Sequence, residues 1–69
     1  MKPLEELKPH ELRVHQEKLE LDVKLAKLRL FIAGETYNSL SLAERKLLMR
    51  QAAHMSAYSD VLMERIEAF

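Results

Sequence analysis

The sequence predicts an all-α chain: an antiparallel two-helix hairpin that assembles into a homo-oligomeric helical bundle. Three observations lead there. Good helix formers dominate the 69 residues, and one Gly and two Pro leave few places to turn. Two long uninterrupted stretches flank a single cluster of turn formers. Each stretch also carries more apolar surface than one hairpin partner can cover.

Residues 1–8 read as a short leader and 9–69 as the hairpin. Proline is tolerated at the first position of a helix but pushes the preceding residue into extended backbone, so Pro9 starts the first helix and Lys8 lies outside it. That helix runs over 9–33, where no residue breaks it. Gly34 stands where a left-handed C-terminal cap belongs, and 34–41 reads as a loop. Ser41-Leu42-Ala43-Glu44 fits a capping box, in which Ser41 accepts from the Glu44 backbone N–H and the Glu44 side chain answers. The second helix follows over 42–67. Each helix has roughly 25 residues and spans on the order of 37 Å.

The expectation of an oligomer comes from the helical wheel, at about 100° per residue. In the first helix Val14, Leu21, Leu25, Leu28 and Ile32 form one stripe with alternating steps of three and four, interrupted by Lys18. A second stripe of Leu12, Leu19, Val23, Ala26 and Leu30 lies roughly opposite and is the expected oligomer interface. On the second helix Leu48, Ala52, Met55, Leu62 and Ile66 form the main stripe, with Ser59 in its middle. Met49, Ala53, Ala57 and Met63 carry apolar surface further round. A single seam between two helices does not offset the ordering entropy of the chain, and other copies or another partner supply the rest.

Composition narrows the function. Eleven basic residues balance eleven acidic ones, so no global field draws the chain onto DNA or an anionic membrane, although a local basic pocket for a small anion remains compatible with neutrality. Without cysteine there is no disulfide, thiolate metal site or Cys nucleophile. The N-terminal residues lack the apolar run of a signal peptide, and no run of about 18 apolar residues occurs anywhere; a cytoplasmic protein is expected. Glycine-rich phosphate loops and nucleophile elbows are absent, so no catalytic residue, cofactor or enzymatic activity is expected. His10 and His15 are spaced five apart, about 140° round a helix, and cannot share a metal from one face.

Two groups of side chains stand out as candidate ligand-binding residues. Gln51, His54, Tyr58 and Arg65 share one edge of the second helix beside its main stripe. An amide, an imidazole, a phenol and a guanidinium fork can stack a base and hold a phosphate. On pattern alone the strip fits a semi-polar interface better, with Tyr58 packing and Arg65 pairing with a carboxylate. Arg13, Lys18, Lys24 and Lys27 form the other group. Lys18 interrupts an apolar stripe, and either snorkels outward, pairing with Glu17 or Glu44, or serves a ligand.

The order Pro9-His10, Arg13-Val14, Glu17-Lys18, Leu21, Lys24, Lys27-Leu28, Phe31-Ile32, then Leu40, Glu44, Leu47-Leu48, Gln51, Met55, Tyr58-Ser59, Leu62 and Arg65-Ile66 resembles a family of short phage proteins. That family is similar to the helical-hairpin domain of phage anti-CBASS and anti-Thoeris sponges. The resemblance spans about residues 9 to 67, and the pattern from Gln51 to Ile66 is its most distinctive part. It implies an oligomer, commonly a hexamer, that sequesters a cyclic nucleotide immune signal in the host cytoplasm without cleaving it, in pockets between protomers. Some such sponges carry a domain beyond the hairpin; these 69 residues hold none, which favours cyclic oligonucleotides over ADP-ribose-type signals. Arg13, Lys18, Lys24, Gln51, Tyr58 and Arg65 are the residues expected to meet that ligand. The rival reading is a small interaction module or inhibitor that docks its surplus apolar face on another protein.

Overall fold

The computed structural model describes residues 1–69. Three α-helices follow one another: α1 over Pro9–Ile32, α2 over Glu35–Asn38 and α3 over Leu42–Ala68. α1 and α3 lie antiparallel and form a rod with extents of 48 × 15 × 14 Å.

The seam between them follows a coiled-coil repeat. On α1, continuing back into the leader, Leu7, Glu11, Val14, Lys18, Leu21, Leu25, Leu28 and Ile32 recur in alternating steps of four and three. On α3 the matching set is Leu48, Ala52, Met55, Ser59, Leu62, Ile66 and Phe69. None of these residues is exposed. A mean spacing of 3.5 keeps both sets facing each other along two long helices. The tightest packing is at the open end, where Val14, Leu62 and Ile66 form the buried cluster and Leu21 and Phe69 pack against it. Leu62 is only 1% exposed. The His15 ring tilts against Phe69 at 6.2 Å between centroids.

The leader belongs to this packing. A 3-10 turn over Leu4–Glu6 turns Leu7 inward, where it is buried. Lys2 Nζ reaches the Glu11 carboxylate at 3.2 Å, and the Lys8 backbone N–H donates to Glu11 Oε1 at 2.9 Å. Glu11 thereby satisfies an orphan donor at the N-terminus of α1, next to Pro9 at its first position.

The connection departs from the sequence reading in three ways, the first being that the expected loop over 34–41 contains the one-turn helix α2. Gly34 is extended (φ −91°, ψ 173°), not left-handed, because α1 ends in the right-handed conformation at Ala33 and the chain enters the one-turn helix α2 directly. The Ser41 cap holds, with the Glu44 N–H donating to Ser41 Oγ at 3.1 Å, but the Glu44 side chain does not return the bond. An extended Gly34 makes a testable difference. A Cβ there would meet the Phe31 carbonyl oxygen at 3.4 Å, an ordinary contact. Gly34→Ala is therefore expected to be neutral or to stabilise by up to about 0.5 kcal/mol through the unfolded chain; a loss above about 1 kcal/mol in urea unfolding would instead indicate a left-handed glycine.

Candidate functional site

Lys18, the residue that interrupts the first apolar stripe, has its partners inside the fold. Its Nζ lies 2.6 Å from Asp22 Oδ2 and donates to Ser59 Oγ at 3.2 Å. The Ser59 hydroxyl in turn donates to Asp22 Oδ1 at 2.5 Å. The ion-pair partner is thus Asp22, one turn on, in place of Glu17 or Glu44, and Ser59 closes the triangle from across the seam. Lys18, with Glu11 one of two polar positions in the α1 repeat, meets Ser59, the one polar position of the α3 repeat, in a polar layer that favours a single register of the hairpin.

This layer and the leader contact are expected to make the fold sensitive to acid. The bond from Lys18, with that from Ser59, holds Asp22 below the ordinary carboxylate range. The Lys8 backbone N–H, with Lys2, does the same for Glu11. A carboxylate with a depressed folded pKa stabilises fully above its unfolded value, about 3.9 for Asp and 4.3 for Glu, and loses that contribution as pH falls through the folded value. The thermal midpoint by circular dichroism is expected to hold from about pH 7 to 5 and fall below about pH 4. Asp22→Asn should blunt the fall, and a midpoint that stays level in acid would show that neither carboxylate contributes.

The other sequence-predicted residues lie on the surface. Gln51, His54, Tyr58 and Arg65 belong to a second repeat on α3, Leu47, Gln51, His54, Tyr58, Val61 and Arg65, each one position before a seam residue and all exposed. The structure therefore brings Gln51, Tyr58 and Arg65 together on one strip. Arg13 and Lys24 are exposed on α1 and belong to neither ion pair; Lys18 is engaged at the seam.

α1 has its own second repeat. Leu12, Gln16, Leu19, Val23, Ala26 and Leu30 again step by four and three, and every one is exposed. Leu19 is 65% and Leu30 75% exposed. Exposed large apolar side chains aligned in a 3.5-residue repeat have the pattern of a helix-packing seam.

A basic cleft at the closed end was not singled out from the sequence. It has a volume of about 380 Å³ and is lined by Tyr37, Leu42, Arg45, Lys46, Met49 and Arg50. The Tyr37 hydroxyl donates to the Arg45 carbonyl oxygen at 3.2 Å and fastens α2 to α3. The two ion pairs of the molecule lie elsewhere, so no carboxylate stands within 4 Å of these three cations. The sequence did hold a signal: none of Arg45, Lys46 and Arg50 has an acidic residue three or four positions away.

Fold and surfaces together define a small all-helical hairpin protein with an uncovered apolar repeat and an unneutralised basic cleft. The family model described as Sequestin matches residues 8–68, and the chain belongs to the Sequestin family. No curated protein and no solved structure matches the chain significantly. No helix is long and apolar enough to cross a membrane.

Proposed function

We propose that the protein is a phage anti-defence sponge: a homo-oligomer that binds a cyclic oligonucleotide immune signal, of the cyclic di- or trinucleotide kind, in the bacterial cytoplasm and holds it without cleavage. The observation that carries this reading is membership, over residues 8–68, of a family whose name denotes sequestration. The physical properties of the chain support it. A cyclic dinucleotide presents two negative charges and two planar bases, and the α3 strip offers the Tyr58 ring for stacking and the Arg65 fork for a phosphate. Sequestration needs abundance and slow release rather than bond cleavage, and a small hairpin with repeated surfaces supplies many sites per unit mass.

The second repeat of α1, with Leu12, Leu19, Val23, Ala26 and Leu30 at its apolar positions, is the proposed boundary between protomers. Packing these residues on another copy removes from water the side chains that the hairpin leaves exposed.

Calorimetric titration with cyclic di-AMP, cyclic GMP-AMP, cyclic tri-AMP and cyclic ADP-ribose tests the reading. Micromolar or tighter binding of a cyclic oligonucleotide, with the ligand recovered intact, is expected. Arg65→Ala should weaken it about tenfold, the loss of one charge-assisted contact, without changing the mass of the assembly. Selective binding of cyclic ADP-ribose would move the ligand to the other class of cyclic signal. No binding of any of the four by an intact oligomer would sink the proposal, and a single chain that becomes ordered only on a partner protein would favour an interaction module.

A further inference from the structure

We infer that the cleft between α2 and the first turns of α3 is an oxyanion site, and that it holds a phosphate of the sequestered nucleotide through Arg45, Lys46 and Arg50. The nucleotide part of this inference rests on the proposed function; the anion site itself does not.

The local electrostatics are unfavourable without an anion. Lys46 and Arg50 are one turn apart on the same helix, a like-charge pair that costs stability. Arg45 flanks them, and no carboxylate stands within 4 Å of the three in a molecule whose total charge is zero. Arg45 is half-buried, and its Nε–H is buried with no acceptor. A buried unpaired donor is costly, and a small turn of the guanidinium onto a bound oxyanion removes that cost. The shape is suitable as well. About 380 Å³ is within the range of small-molecule sites, and Tyr37, Leu42 and Met49 give the cations an apolar wall that lowers the local dielectric.

The cleft also connects to the exposed strip. Lys46, Arg50, His54 and Tyr58 follow one another at intervals of four residues along a single ridge of α3. Arg50 and Tyr58 are separated by about 12 Å along the helix axis, at about 1.5 Å per residue. With Tyr58 also turned about 80° round the helix from Arg50, that separation lets Arg50 hold a ring phosphate of a cyclic nucleotide while one of its bases reaches toward Tyr58. The ridge therefore orients the ligand: phosphate toward the hairpin loop, base toward Tyr58.

Two titrations of the full chain, followed by 15N-correlated NMR and calorimetry, test this. With inorganic pyrophosphate, the Arg45 and Arg50 Nε–H signals and the backbone amides around Lys46 are expected to shift. The double variant Lys46→Gln/Arg50→Gln, whose sites are both exposed and whose helix content is checked by circular dichroism, should abolish those shifts. With a cyclic nucleotide that binds the wild type, the same variant should lose about tenfold or more in affinity, the scale of lost charge-assisted hydrogen bonds. Unchanged nucleotide affinity in the double variant would overturn the nucleotide assignment while leaving sequestration standing. If no cyclic nucleotide binds the wild type, the proposed function fails, and pyrophosphate decides the cleft alone. Shifts confined to it uphold an oxyanion site, and shifts elsewhere or none overturn it.

Discussion

Leu62→Ala is expected to cost about 3 kcal/mol and to lower the thermal midpoint by about 15 °C or more. Leu62 is the most deeply buried side chain, at 1% exposure, in a cluster of only three buried residues. The hairpin is thin, so few atoms are able to move into the space a leucine leaves, and the cavity term adds to the lost transfer energy. Small domains have little stability in reserve. The matched control is Leu4→Ala: Leu4 is 62% exposed, and its truncation should stay within about 0.5 kcal/mol. Equal losses at the two positions in chemical denaturation would show that the open-end cluster is not the centre of the fold.

The second large effect concerns assembly. Leu19→Glu combined with Val23→Glu is expected to reduce the proposed oligomer to a single chain of 8.1 kDa. Both residues are exposed in the hairpin and lie one turn apart in the middle of the α1 outer repeat. As surface residues they should tolerate a carboxylate with little effect on the α1–α3 seam. Buried between copies, however, two unpaired carboxylates cost several kcal/mol. Sedimentation velocity reads the result directly. A variant that keeps the wild-type mass would place the protomer boundary on another surface, and the α3 strip would be the next to test.

The seam was legible in the sequence because a two-helix packing surface needs a spacing of about 3.5 residues over many turns. Val14, Leu21, Leu25, Leu28 and Ile32 carry that spacing, as do Leu48 to Ile66. The polar layer was half legible. Lys18 and Ser59 stood out as interruptions, but pairing them required the register of the two helices, which no local pattern in the sequence reveals. Asp22 stands at the i+4 position from Lys18, a spacing that favours pairing, yet the sequence reading named Glu17 and Glu44 instead. The leader was opaque, because eight residues are too few to show a period, and the roles of Leu7 and Lys2 depend on the chain folding back on α1. Gly34 misled because a glycine after a helix usually signals a left-handed cap, whereas here it only lets the chain run extended into α2.

The candidate site divides along similar lines. Gln51, Tyr58 and Arg65 share a strip because helical spacing alone puts them there. The cleft depends on Tyr37, whose position follows from α2 and its bond to the Arg45 carbonyl oxygen. Arg45, Lys46 and Arg50 look like ordinary solvated charges until the absence of acidic residues three or four positions away is noticed.

Native mass spectrometry of the untagged protein, incubated with the four cyclic nucleotides, tests sequestration by an oligomer most directly. The expected result is a particle at a whole-number multiple of 8.1 kDa that gains the mass of one intact cyclic nucleotide per pocket and releases it unaltered on denaturation. A single-chain species that takes up none of the four, or a ligand recovered in cleaved form, would contradict it.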